Sequence, residues 1–346
     1  MSDILETPLD VFYRNKLYFS YSSLKKLMWN PKEWYNYYVL NKKEDVISDN
    51  LLNGKIIHCL LLNNEKFNDE FIVSSINIPT GNNKLIVDKI FYYHSELLQN
   101  EDGFGEMLRV DFKLSNYSNA ILNILKEINL HQSLKTDQQR LDKILTEENI
   151  NYFEFLKNKK NKYVIDLERY NFCLNSANVL KQSDKIMTLL GMDSTSCLDS
   201  SIEVINEKEF KIDLNNQVFG LKGILDNLVI NHEKKEININ DLKNTSKELT
   251  EFKESVEFYM YWLQAIIYIL IVTGNYKELV YEKKYKVNFN FIVLNDKAQY
   301  HVFNVSENTL NVWYERFKKI LLKAEYHYTN RDYNLPYDLA NNLISL

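Results

Sequence analysis

Between residues 200 and 243, four segments of strand character follow one another with only short polar turns between them: SSIEVIN, EFKIDLNN, QVFGLKGILDNLVINH and EININDLK. Connections that short leave no room for a crossover, so neighbouring segments must pair as an antiparallel meander. A sheet therefore sits at the centre of any fold this chain adopts. A helix-patterned stretch over about 251–273 comes next. Two further strands follow in YKVNFNFIVLN and AQYHVFNVS, then a closing helix capped by Ser306. Everything before residue 198 reads as helical. Leu24, Leu27 and Met28 share one helix face, with Ser22 or Ser23 as N-cap and Pro31 as a break or restart. NGKIIHCLLLNNEKF gives a short apolar helix opened by Gly54, and 82–192 carries repeated 3.6-residue stripes ending at Gly191. The expectation is one α/β (α+β) domain over 1–346, with N-terminal helices over 1–80, a helical insertion over 82–192, and a sheet with flanking helices over 198–327.

Side chains on a strand alternate faces. ININDLK thus has a wet asparagine face and an apolar face carrying Ile237, Ile239, Asp241 and Lys243. On the preceding strand, Lys222, Ile224, Asp226, Leu228 and Ile230 are expected to share a face. Paired as a hairpin, the two strands bring Asp226 and Asp241 together. Two carboxylates on an apolar face repel and are costly to desolvate, and a hard divalent cation relieves both problems. Lys243 would stand beside it. Taken alone, Asp241 also reads as a strand-ending turn residue with a solvated Lys243.

Composition narrows the function. A net charge of −5 excludes a broadly basic surface, so a nucleic-acid site would be a local patch. The three cysteines, Cys59, Cys173 and Cys197, are scattered and form no CxxC pair. That argues against a disulfide framework or a cysteine-rich metal knot and for a reducing compartment. The acidic MSDILETPLD lacks the apolar region of a signal peptide. MYWLQAIIYILIVTG is too short to span a bilayer comfortably and carries Gln264, so no membrane association is expected. The basic run KNKKNK (157–162) reads as a solvated loop, with a phosphate contact as the alternative.

The order of motifs is more specific than any one of them. YSSLKKLMWNPKEWY is followed by GKIIHCLLLNN, then GLKGILD, then DLKNT, then QAIIY. In that order they resemble the PD-(D/E)XK nuclease superfamily, specifically its RecE/RecB-like, phage-type exonuclease branch. The matched motifs lie in the N-terminal 75 or so residues and in about 200–275. The resemblance implies a restriction-endonuclease-like core, a mixed sheet flanked by helices. It implies an enzyme, a deoxyribonuclease dependent on Mg²⁺ or Mn²⁺ that hydrolyses phosphodiester bonds. Asp226 and Asp241 would be metal carboxylates and Lys243 the catalytic lysine. The Leu242 carbonyl, His58 and, from an earlier strand, Glu203 would be further ligands. Gln264, Tyr268, Lys222 and Thr245 would face DNA. By residue type alone, His58 also reads as a core histidine, Gln264 and Tyr268 as packing, and Lys222 as an edge residue.

Asn30 stands where some relatives place a cluster cysteine, so no iron–sulfur cluster is expected, and no Walker A motif occurs. The resemblance points to phage or bacterial recombination or DNA processing in the cytoplasm of a bacterial host cell. Its expected partners are DNA and a single-strand annealing protein or recombinase, with homo-oligomerisation left open. Two alternatives differ in class: an endonuclease of the same fold, and a non-catalytic DNA-binding or scaffolding protein.

Overall fold

The computed structural model describes residues 12–343 apart from 13, 15, 43–47, 75, 77, 101–112, 160, 161 and 216, and it leaves the side chains of 93–100 undescribed. The acidic N-terminal decapeptide and part of KNKKNK lie outside the described residues. The chain divides into two compact units, residues 1–65 with 172–346, and residues 66–171.

The strands, in chain order, are β1 (Tyr18–Phe19), β2 (Phe71–Ser74), β3 (Tyr163–Asp166), β4 (Ile202–Asp213), β5 (Gly220–Asn231), β6 (Glu236–Thr245), β7 (Lys286–Asn295) and β8 (Tyr300–Asn304). The first unit holds a mixed sheet. β4, β5 and β6 form the expected antiparallel meander, β7 runs parallel to β6, and β8 returns antiparallel to β7. SSIEVIN and EFKIDLNN belong to one 12-residue strand rather than two. β4 takes one edge of β5 along its whole length. The other edge is shared: β6 pairs with Asn227–Asn231 and β1 with Gly220 and Leu221. Between them, Lys222–Asp226 have no strand on that edge.

Helices α1 (Tyr21–Trp29), α2 (Asp49–Leu62), α3 (Phe252–Phe258), α4 (Tyr261–Asn275) and α5 (Glu307–Asn330) surround the sheet. α4 supplies the largest share of its apolar cover. Leu263, Ile267 and Ile271 join Leu228, Ile230, Ile237, Ile239 and Phe289 in one buried cluster, because a helix with so few polar positions must be covered nearly all round. Ser20 caps α1 by accepting from the Ser23 amide, in place of the expected Ser22 or Ser23. α2 starts at a Ser48 cap, so Gly54 lies inside the helix instead of opening it. The single helix expected over 251–273 is two helices whose axes differ by 76°. The break is Met260, in the left-handed region at φ 57°. It lets Phe252 pack on Phe291 and Phe303 while α4 runs on across the sheet.

The alternation expected for β5 does not hold along its length. Leu228 and Ile230 are buried, as expected, but Ile224 is 52% exposed while Leu221 and Leu225 are buried. β4 slips in the same place: Ile205 packs on the core before the slip, Phe210 and Ile212 after it. Both strands change face at Glu207 and Asp226, so their register is the same before and after.

The wet face of the meander is largely covered too. Asn206, Asn227, Asn240, Asn290 and Asn304 are aligned across β4, β5, β6, β7 and β8. Each side-chain amide donates to the next: Asn304 to Asn290 (2.6 Å), Asn290 to Asn240 (2.8 Å), Asn240 to Asn227 (2.7 Å) and Asn227 to Asn206 (2.8 Å). The row ends on α2, where Asn206 donates to the Leu62 carbonyl at 3.2 Å. Asn240 and Asn227 also satisfy the carbonyls of Leu189 and Leu190, at the end of the helix Asp184–Leu189.

The second unit has its own core, including Ile86, Ile90, Ile121, Leu125 and Phe153. It is not wholly helical: β2 and β3 pair in parallel, Phe71 opposite Tyr163. That pairing joins the two ends of the insertion, which is why this unit runs 66–171 rather than 82–192. Among the described residues, no single helix is long and apolar enough to cross a membrane.

Candidate metal centre

One residue along each strand from the asparagine row stand Glu207 on β4, Asp226 on β5 and Asp241 on β6. β5 and β6 stop pairing at Asn227 and Asn240. The Leu242 amide, left without a β5 carbonyl, donates instead to Asp226 Oδ2 at 2.8 Å. Opposite Asp226, Glu207 holds a left-handed backbone at φ 49°, a conformation costing a non-glycine residue about 1–2 kcal/mol. His58, on α2, reaches the same place. Its Nδ1 lies 3.7 Å from Glu207 Oε1 and 3.7 Å from Asp226 Oδ2. The donor atoms of His58, Glu207 and Asp226 all lie within 4.8 Å of one another.

A second set adjoins the first. Asp241 is fully buried. Its Oδ2 is 2.5 Å from Lys243 Nζ, and its Oδ1 accepts from Gln264 Nε2 at 2.8 Å. Gln264 also donates to the Tyr268 hydroxyl, one turn on along α4, at 3.1 Å. Lys243 Nζ further lies 3.4 Å from the Leu242 carbonyl and 4.9 Å from the centre of the Tyr261 ring. Gly223 makes room for this arrangement. A Cβ there would come within 2.7 Å of the Tyr268 ring, so the glycine of GLKGILD is required by close approach.

Burial pushes the Asp241 carboxyl up to about 6, with Lys243 opposing and Asp226 adding to the rise. Burial alone would lower Lys243, but Asp241 and Asp226 outweigh it and hold the ammonium above its ordinary range. His58 behaves alike: burial works against its charge, and Asp226 with Glu207 raises it overall. Burial raises the Tyr268 hydroxyl, with Asp241 next in effect.

Of the residues singled out in the sequence, His58, Asp226, Asp241, Lys243, Gln264 and Tyr268 come together. Gln264 and Tyr268 are buried behind Asp241 rather than facing open solvent. The Leu242 carbonyl faces Lys243. Glu203 is exposed and stands opposite Ile230, away from the cluster. Lys222 pairs with Lys211 on the face turned away from Tyr268, because β5 changes face before Asp226. The Thr245 hydroxyl accepts from the Lys247 amide at 3.1 Å and closes a turn. Glu207 occupies the place expected for Glu203. Its only signal in the sequence is the register counted back from the turn between Asp213 and Gly220.

The donor set suits a divalent cation. Two carboxylates and one imidazole, all half-buried, could hold such an ion and leave solvent a share of the coordination. Separations of 3.7 Å let one ion with bonds of about 2.1 Å reach both partners. The buried Gln264 Oε1 has no hydrogen-bond partner among the described residues. A groove of about 670 Å³ lies instead against the asparagine face, lined by Asn238, Asn288, Asn290 and Asn304 among others.

No family model matches this chain, and no curated protein matches it. Among solved structures, that of a candidate exonuclease from Eubacterium rectale is similar at 14% identity, over 100% of this chain and 94% of that chain, with a TM-score of 0.45.

Proposed function

We propose that this protein is a metal-dependent deoxyribonuclease that hydrolyses phosphodiester bonds from DNA ends. The observation that carries the reading is the buried Lys243–Asp241 pair adjoining the His58–Glu207–Asp226 group where β5 and β6 part. His58, Glu207 and Asp226 would hold Mg²⁺ or Mn²⁺. When bound, that ion supplies polarisation of a phosphoryl oxygen and a lowered pKa for a water. Of the three protons on Lys243, one is engaged by Asp241 and another lies near the Leu242 carbonyl. The third is left for a phosphate oxygen or a water. Gln264 fixes the orientation of Asp241, and Asp241 thereby fixes Lys243.

The motif order supports an exonuclease of phage or bacterial recombination or DNA processing, acting in the bacterial cytoplasm beside a single-strand annealing protein or recombinase. The test is a comparison of linear duplex with closed circular DNA, in Mg²⁺, Mn²⁺, Ca²⁺ or EDTA. Degradation of linear DNA alone, in Mg²⁺ or Mn²⁺ but not Ca²⁺ or EDTA, is the expected result. Nicked or linearised circles would reassign the protein as an endonuclease. Intact DNA of both forms under every metal would overturn the reading.

A further inference from the structure

We propose that Trp29, Phe258, Tyr259 and Tyr261 form a stacking platform that receives the unpaired end of a DNA strand and leads it to Lys243. The proposal rests on the nuclease reading and names the form of substrate the site takes.

Three of these rings are open to solvent: Trp29 is 54% exposed, Phe258 66% and Tyr259 38%. They are contiguous. Trp29 lies 6.4 Å from Phe258, Phe258 5.0 Å from Tyr259, and Tyr259 5.4 Å from Tyr261, centre to centre. Tyr261 closes the chain at the site, with Lys243 Nζ 4.9 Å from its ring. The strip thus runs without interruption from the surface to the lysine proposed to act on phosphate.

It also carries positive charge. Lys25 Nζ lies 4.7 Å from the Trp29 ring, 5.3 Å from that of Tyr259 and 5.7 Å from that of Tyr21. No carboxylate pairs with it among the described residues. Its partial burial lowers the ammonium's pKa, and an anion brought alongside would supply the counter-charge that no described carboxylate gives. Two acids of α3 are offset by cations: Arg316 holds Glu257 through two bonds, and Lys247 stands 4.0 Å from Glu254. Apolar ring faces with an unpaired cation among them suit a strand whose bases stack and whose phosphates seek charge. A protein partner would gain less from a cation held there.

The backbone is shaped for the strip. The left-handed Met260 turns the chain between α3 and α4, and the Tyr21 hydroxyl donates to the Tyr259 carbonyl, pinning the turn to α1. Strained residues of this kind persist where the surrounding structure enforces them.

Trp29 provides its own reporter, because Trp34, Trp262 and Trp313 are buried. Tryptophan emission of the full chain should be followed in EDTA while a thymidine oligonucleotide, or a blunt duplex of equal length, is added. The single strand is expected to quench emission and the duplex to do so far less. Trp29→Ala should lose the quench. Phe258→Ala should keep it but weaken single-strand affinity by about tenfold, as removal of one stacking ring does. Quenching without cleavage under any metal would support the platform while removing the nuclease reading. Cleavage of linear DNA, with no quench and unchanged single-strand affinity in both variants, would overturn the platform and leave the nuclease reading standing. A chain that self-associates, loses that association in Phe258→Ala and shows no quench would make the strip a protein interface and equally overturn the proposal.

Discussion

Removing the Lys243 ammonium takes away a donor beside the candidate metal centre and the counter-charge of a buried carboxylate. For Lys243→Ala, cleavage is expected to fall by about 10²–10³-fold, the usual cost of losing one preorganised donor; full activity in the purified variant would end the catalytic reading. Stability should fall as well, since a buried pair broken on one side costs about 3–5 kcal/mol. The loss should depend on pH. Asp241 titrates at about 6 in the folded chain against an ordinary 3.8, so folding favours its protonated form. Stability from this group is present below 3.8 and is lost as pH rises through about 6. Without Lys243 the carboxyl climbs further, so the destabilisation is largest near pH 8 and shrinks toward pH 5. Asp241→Asn/Lys243→Ala should recover most of the stability, lose the pH dependence and remain inactive; thermal melts across that range check all three. A second prediction concerns His58, whose pKa burial lowers but Asp226 and Glu207 raise overall, favouring the protonated ring. A metal must displace that proton. Titration calorimetry with Mn²⁺ in two buffers of different ionisation enthalpy should show proton release, and binding should weaken as pH falls. Identical heats in both buffers would remove His58 from the ligand set, as would unchanged affinity in His58→Ala.

At the scale of elements, the asparagine row behaves as one hydrogen-bonded object. Asn290 is nearly fully buried between its neighbours. Asn290→Ala orphans the buried Asn240 side-chain oxygen, at about 1–3 kcal/mol, while the exposed Asn304 amide can turn to water. Denaturant melts should show that loss with the m-value unchanged; a loss below half a kcal/mol would mean that water replaces the missing amide. Periodicity in the sequence made the meander, the two later strands and the closing helix legible. The row itself was not, because alternating asparagines read as a solvated face until a neighbouring element is known to cover them. Asp226, Asp241, Lys243 and His58 were legible through the order of their motifs. Glu207 was not, since two strands that change face at the same residue leave no trace in either pattern alone. The Met260 break escaped for a similar reason: an unbroken apolar run carries no mark of where it turns.

Over the whole molecule, the residues of the candidate site all belong to the first unit, although residues 66–171 separate His58 from the rest in sequence. Helices ahead of strands were readable from the order of patterns. The span of the second unit was not, because it depends on Phe71–Ser74 meeting Tyr163–Asp166 far along the chain. The asparagine row has the same non-local character, linking Leu62 to Asn304. It is complete only after β8 has been laid beside β7, and it is expected to close after the folding barrier. Interactions that form after the folding barrier act on escape from the native state rather than on entry to it. Stopped-flow measurements on Asn290→Ala should therefore show unfolding faster by about tenfold or more and refolding at the parental rate; slowed refolding would place the row among the first contacts made. On this account the row works as a latch in time, setting how long a finished molecule lasts and leaving untouched how quickly one is made.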